Sequence, residues 1–154
     1  MDRLIFHCDC NNFYASCECL EHPELKNVPM AVAGDPERRT GIVVAKNELA
    51  KRAGVKTTDT VWAAKKKCPE IVFVPPRHKF YEEISARVND IYHQYTEYVE
   101  PASIDESYLD MEYASEKASS VRNLKRTSAP IRHAGGYYKP KELYSIIHLY
   151  GWSE

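Results

Sequence analysis

Leu4-Ile5-Phe6-His7-Cys8-Asp9-Cys10-Asn11-Asn12-Phe13-Tyr14-Ala15-Ser16 is the segment from which the fold prediction starts. Its first part, Leu4 to Cys8, is short and apolar, which predicts a strand. Asn11 or Asn12 can cap a helix that follows without an intervening loop. Asp9 therefore falls at the end of a strand, where side chains can converge on a cleft.

Further strands and helices alternate along the chain to Met111. Turn residues and hydrophobic spacing predict strands at 28–33, 41–45 and 71–74, and helices at 47–53, 59–67 (capped by Asp59) and 78–97. A closely linked strand pair is expected at 98–102 and 104–111. This alternation predicts an α/β or α+β sheet domain.

Composition indicates an ordinary globular chain. Its 154 residues are 44% apolar and 28% charged, with a net charge of −1. We find no apolar run long enough to span a bilayer and no signal-peptide pattern, so a cytoplasmic location is expected. Residues 1–111 include 14 basic and 18 acidic residues. Any affinity for nucleic acid must therefore come from local basic patches or from other parts of a protein.

The five cysteines allow two interpretations. Cys8, Cys10, Cys17 and Cys19 form two Cys-x-Cys pairs, which would suit a zinc- or partner-binding module. On a helix, however, Cys17 and Cys19 would lie on nearly opposite sides. The other interpretation is small buried thiols in a reducing compartment, and the odd count argues against a disulfide framework.

Three carboxylates suggest a divalent-cation site. Asp9 ends the first strand, and the adjacent pair Asp105 and Glu106 lies in the later segment Ala102 to Asp110. Hard cations such as Mg²⁺ prefer oxygen ligands, and two such ions can clamp both oxygens of a phosphoryl transfer. Neighbours on an extended strand point to opposite faces, so the pair can serve one site only if the backbone turns there.

Three ordered motifs carry a family resemblance. They are Asp9 to Glu18, then Pro29 to Gly34 leading into Gly41 to Ala45, and finally Val99 to Asp110. Together they resemble the Y-family, or translesion, DNA polymerases, in their UmuC-like and polymerase IV-like branch. The resemblance covers residues 1–111 and implies part of a polymerase palm sheet with a small fingers subdomain at about residues 11–77.

The resemblance also implies roles for particular residues. Asp9, Asp105, Glu106 and the backbone carbonyl of Cys10 would hold two Mg²⁺ ions, with Asp105 and Glu106 as catalytic residues. The implied reaction is template-directed DNA synthesis past damage, with primer–template DNA and a deoxynucleoside triphosphate as substrates. The resemblance also allows a sliding clamp as a partner, although no binding region for one is recognisable.

The expected nucleotide contacts are Asn12, Phe13, Tyr14 and Lys51. Tyr14 resembles the family's steric gate, an aromatic ring that leaves no room for a 2′-hydroxyl; the alternative is an ordinary core aromatic. Lys51 stands where many members have an arginine, and Glu48 where they have a tyrosine. Glu48 would repel phosphate unless it turns away, so no role is carried over to it.

After Met111 the composition of the sequence changes. In residues 112–154 we recognise no further part of the palm, no thumb and no little finger. We therefore expect a truncated chain with a divergent tail, in which Lys139 to Trp152 forms a short helix. A truncated sheet would leave an unpaired edge and favour self-association. The alternatives to an active polymerase are a catalytically inactive remnant and the zinc- or partner-binding module.

Overall fold

The computed structural model of the chain describes residues 4–35, 41–111 and 147–153, the last range for its backbone alone. It forms two compact units, one of Met1–Asn11 with Glu82–Glu154 and the other of Asn12–Tyr81. Among the described residues, no helix combines the length and apolar character that crossing a bilayer requires.

The first unit is built on an antiparallel four-stranded sheet. Its strands are β1 (Leu4–Cys10), β5 (Val99–Pro101), β6 (Glu106–Asp110) and β7 (Ile147–Ser153), in the order β5-β6-β1-β7. β1 is thus a central strand, with β6 on one side and β7 on the other. The expected strand pair at 98–111 is confirmed as β5 and β6.

Burial alternates strictly along β1. Phe6, Cys8 and Cys10 are buried, whereas Ile5, His7 and Asp9 are half-buried on the opposite face. This period of two is expected for a strand with one face on the core. The final turns of α4 (His78–Tyr92) lie against the buried face, where the Ser107 hydroxyl donates to Asn89 Oδ1 at 2.8 Å.

The second unit is built on a three-stranded sheet with the order β3-β2-β4. The strands are β2 (Met30–Ala33), β3 (Val43–Lys46) and β4 (Val72–Val74); the helices are α1 (Phe13–Glu21), α2 (Glu48–Arg52) and α3 (Val61–Lys67), with a short 3-10 helix at Pro23–Asn27. β2 pairs antiparallel with β3 and parallel with β4.

Strand β2 separates two small cores. Ala31 and Ala33 share a cluster with residues of α2 and α3, including Ala50 and Ala64. Met30 and Val32 face the other way and pack with Ala15 of α1. A strand buried on both faces explains why 28–33 is continuously apolar in sequence.

Local signals placed most elements correctly and some of their ends wrongly. α4 ends at Tyr92, not at residue 97. The cap of α3 is Thr60, whose hydroxyl oxygen accepts from Ala63 N at 3.1 Å, and not Asp59. Asp59 instead accepts from Lys56 N at 2.7 Å and from Lys67 Nζ at 2.6 Å.

The helix expected at 139–152 is wrong where the structure describes it. Residues 147–153 form β7, which pairs with β1 from Leu4↔Ser153 to Cys10↔Ile147. The open backbone edge of β1 decides this, because its unpaired N–H and C=O groups require partners that a helix could not supply. β7 covers this side of β1, and among the described strands the edges of the sheet are β5 and β7.

Candidate metal and nucleotide sites

The β1–β6 pairing brings the first and last predicted metal ligands together. Asp9 and Glu106 are direct partners in the antiparallel register, and the neighbouring Cys10 N donates to Asp105 O at 2.9 Å. Asp9 and Glu106 therefore form a non-hydrogen-bonded pair, in which Cα atoms are about 4.5 Å apart and side chains share a face.

Asp105 is not bound by the alternation of strand side chains, because the strand has not yet begun there. It lies in a bend at 103–105, just before β6 starts at Glu106. Its Oδ1 accepts from the Ser103 hydroxyl at 2.8 Å, which holds the carboxylate beside its own turn. The turn that the sequence argument required between the two adjacent carboxylates is thus present.

The side chains themselves are not gathered around one point. Within residues 4–35, 41–111 and 147–153, no three His, Cys, Asp or Glu side chains are arranged to hold a metal ion. Glu106 leans instead towards His7, whose Nε2 is 3.9 Å from Glu106 Oε2. The donor set of hard carboxylate oxygens fits Mg²⁺ in chemistry and in backbone placement, and rotation of these half-exposed side chains would be needed to close it.

The electrostatics of this edge favour a cation. None of the lysines and arginines in the described part of the chain forms an ion pair with Asp9, Asp105 or Glu106. His7 stacks on Tyr108, its register partner, with 4.9 Å between the ring centroids. Asp9 and Glu106 lie opposite each other without a paired lysine or arginine among the described residues, and a divalent ion would offset their negative charge.

Behind β1, the buried face carries Cys8 and Cys10 against Tyr92 of α4. Burial raises the pKa of both thiols to about 12, and the Tyr92 hydroxyl partly opposes that rise. Among the described residues, the Tyr92 hydroxyl has no oxygen or nitrogen partner, and it faces the weakly polar sulfur atoms of the two cysteines. Cys8 and Cys10 are therefore protonated packing groups, which supports the buried-thiol interpretation. The backbone carbonyl of Cys10 points towards Asp105, because the N–H and C=O groups of one residue in an antiparallel strand point to the same side.

In the second unit, α1 begins at Phe13 with Asn12 in the N-cap position. Asn12 has φ 49° and ψ 44°, a left-handed conformation that asparagine tolerates, and its side chain does not cap the helix. The first intrahelical bond is from Ser16 N to Asn12 O, so the N–H groups before Ser16 are directed out of the helix end. Because the Phe13 side chain is buried, this residue could reach a nucleotide only through its backbone.

Tyr14 is half-buried in an aromatic stack. Its ring lies parallel to that of Tyr81 at 4.3 Å and edge-on to His78 at 6.0 Å. It also packs against the small core of Ala15, Met30 and Val32. The ring is therefore both a packing aromatic and a fixed surface, and the core interpretation and the gate interpretation are compatible.

A buried carboxylate anchors this stack. The Glu18 side chain is 1% exposed; it accepts from the Tyr81 hydroxyl at 2.6 Å and from Arg77 Nε and Nη2 at 3.1 and 2.7 Å. Arg77 also donates to Glu21. The hydrogen bond to Glu18 is the main cause that raises the pKa of Arg77, and burial raises that of Tyr81.

Sequence reasoning missed this network. Glu18 was part of the first motif without a role, and Arg77 and Tyr81 belonged to the loop and helix after β4. Fifty-nine residues separate Glu18 from Arg77, so no local spacing links them. The one available signal was an acidic residue on a helix between the apolar Cys17 and Cys19.

Glu48 turns towards Asn12 and Lys51. Asn12 Nδ2 and Lys51 Nζ both donate to Glu48 Oε1, each at 3.2 Å. The hydrogen bond from Asn12, followed by that from Lys51, lowers the pKa of Glu48. The carboxylate does not turn away from the expected nucleotide contacts, because two of those four residues, Asn12 and Lys51, donate to it.

Comparison with known proteins identifies relatives for most of the chain. Residues 8–138 match the impB/mucB/samB family. The chain is 53% identical over 111 residues to a DNA polymerase IV of Acetivibrio thermocellus, covering 72% of this chain and 28% of that protein. It is 49% identical over 109 residues to DNA polymerase IV 1 of Bacillus subtilis, covering 71% of this chain and 26% of that protein.

Solved structures agree with the sequence relatives. A chimera of the Y-family polymerases Dbh and Dpo4 matches with a TM-score of 0.67 and 30% identity, over 70% of this chain and 32% of that chain. A structure described as an insertion ternary complex of Dbh DNA polymerase matches with a TM-score of 0.65 and 31% identity, over 70% and 32%. The chain thus spans about a third or less of the length of the proteins it matches.

Proposed function

This chain belongs to the impB/mucB/samB family of Y-family translesion DNA polymerases, and from that premise we propose that it carries the family's nucleotidyl-transfer site. The mixed sheet-and-helix fold matches the palm and fingers region of those enzymes. In the proposal Asp105 and Glu106 are the catalytic residues, and Asp9 and the carbonyl of Cys10 complete the ligand set for two Mg²⁺ ions.

The observation that carries the proposal is the pairing of Asp9 with Glu106 beside the bend at Asp105. Bound there, two divalent ions would lower the pKa of a primer 3′-hydroxyl and neutralise the triphosphate of the incoming nucleotide. The contribution of the chain is to hold three carboxylates on neighbouring backbone segments. Strand pairing fixes two of them and the Ser103 hydroxyl restrains the third.

Asn12, Phe13, Tyr14 and Lys51 would supply the nucleotide contacts, as the family resemblance implies. The N–H groups at the start of α1 favour an anion, and the Asn12 amide and Lys51 ammonium would add donors for phosphate. Tyr14 would act as the steric gate, since Tyr81 beneath it and the buried Glu18 fix the plane of its ring. Primer–template DNA would be the second substrate, and a sliding clamp a further partner.

Metal binding by the purified chain tests the carboxylate site directly. We expect Asp9→Asn or Glu106→Gln to weaken Mg²⁺ binding in a calorimetric titration at least about tenfold, since even residues behind metal ligands commonly contribute that much. Glu97→Gln removes an exposed carboxylate of the same unit and serves as the control. Equal affinities for all four proteins would contradict the proposed site.

Primer extension tests the activity itself. The chain, primer–template DNA and the four deoxynucleoside triphosphates are combined with Mg²⁺, and Asp105→Ala is the control. Extension that disappears in the control supports catalysis by this chain. No extension by either protein at high concentration would rule out the polymerase activity of this chain, whatever its ancestry.

A catalytically inactive family member is the second candidate, and the contacts of Glu48 favour it. Its carboxylate holds both Asn12 and Lys51, the side chains proposed for phosphate. Such a protein would still fold and bind metal at the carboxylates without adding nucleotides. The two experiments together separate it from the active enzyme.

A further inference from the structure

One carboxylate oxygen satisfies two of the proposed phosphate donors. Glu48 lies in the first turn of α2, where Asn47 caps the helix by accepting from Ala50 N at 3.0 Å. From there Glu48 Oε1 reaches the Asn12 amide and, one turn further along α2, the Lys51 ammonium, both at 3.2 Å. The cap fixes the start of α2, so the carboxylate is presented to Asn12 by a defined backbone.

The carboxylate resembles a phosphate in the features that matter here. It is an oxygen anion, it accepts from the same N–H donors, and it lies beside the residue that precedes α1. The lowered pKa of Glu48 keeps it ionised at neutral pH. An incoming triphosphate would meet a like charge, and a lysine whose charge is already matched.

We propose that Glu48 is an intramolecular competitor for the triphosphate of the nucleotide, which must displace its carboxylate from Asn12 and Lys51 in order to bind. This inference rests on the proposed function, because it concerns control of the same nucleotide site. It makes Glu48 a residue that sets affinity for nucleoside triphosphates.

The expected change in nucleotide affinity depends on how far the Glu48 carboxylate is exposed to water. Glu48 and Lys51 are 48% and 59% exposed, so a water-like dielectric applies and one charge pair about 4 Å apart changes affinity about fivefold. A triphosphate brings more than one charge near this carboxylate. We expect Glu48→Gln to tighten binding of dATP about five- to tenfold.

The experiment is a calorimetric titration of the whole chain with dATP in the presence of Mg²⁺, at low and high ionic strength. Glu24→Gln is the matched control, because it removes one carboxylate from the 3-10 helix at the other end of α1, where Glu24 Oε1 lies 3.2 Å from His22 Nδ1. A double variant, Glu48→Gln with Lys51→Gln, tests whether the gain passes through the freed lysine.

Competition by Glu48 predicts tighter binding by Glu48→Gln only, a gain that shrinks at high ionic strength and disappears in the double variant. Equal dATP affinity of the original chain and Glu48→Gln would overturn this inference and leave the nucleotide site standing. An equal gain for Glu24→Gln would also overturn it, as a general charge effect. No dATP binding by any variant would overturn both the nucleotide site and the competition at it.

Discussion

Removal of the Arg77 side chain should destabilise the second unit through the carboxylate that it leaves behind. Glu18 is buried and receives two N–H groups from Arg77 and one hydroxyl from Tyr81. In Arg77→Met the carboxylate keeps only the neutral hydroxyl. Breaking a fully buried ion pair in this way costs about 3–5 kcal/mol.

The expected cost here is smaller because Arg77 is 36% exposed. Water can enter where the guanidinium was and restore part of the solvation of Glu18. We therefore expect Arg77→Met to lower the free energy of unfolding by about 2–4 kcal/mol. Lys79→Met removes the same charge from an exposed position of α4 and should stay within about 0.5 kcal/mol of the original chain.

Urea denaturation monitored by circular dichroism gives these free energies, provided that the slope of the transition is unchanged. Glu18→Gln in the Arg77→Met background should recover most of the loss, because a neutral amide replaces the stranded carboxylate. The reasoning is refuted if Arg77→Met unfolds at the same urea concentration as Lys79→Met.

Two further predictions concern thiols and backbone strain. Burial raises the pKa of Cys8 and Cys10 from 9.0 to about 12, so the stability that their neutral thiols contribute is complete below pH 9 and is lost as the pH rises towards 12. At neutral pH, maleimide should label these two thiols only after the chain is unfolded in urea. Labelling of the folded chain would contradict this prediction. Thr58 is β-branched and has a φ of 75°, a strained backbone conformation that glycine adopts freely. Thr58→Gly relieves this strain but adds conformational entropy to the unfolded chain, so we expect a net rise of about 0.5–1 kcal/mol in the free energy of unfolding, measured in urea. Gly54→Ala, at φ 85° with open space around it, should instead lower stability by about 1 kcal/mol, and equal effects at the two positions would refute the strain argument.

Sequence predicted the site better where its parts are local. The helix that follows Cys10 was predicted from the spacing of its apolar residues, and α1 forms as expected, although the Asn12 side chain does not cap it. A common site for Asp9, Asp105 and Glu106 was expected only from the family resemblance, and the strand pairing of Asp9 with Glu106 is seen only in the structure, since nothing local connects residues so far apart. The cap of α3 was predicted wrongly as Asp59, and the side-chain positions show that Thr60 takes it.

The alternation of strands and helices and the family could be read from the amino-acid sequence, because these depend on nearest neighbours and on motif order. Tertiary structure alone decided that residues 147–153 pair with β1, that Arg77 neutralises Glu18, and that Glu48 faces Asn12. In each of these cases a backbone edge or a charged side chain needs a partner, and the partner lies dozens of residues away. Such partners are set by the packed chain, and no periodicity within either segment encodes them.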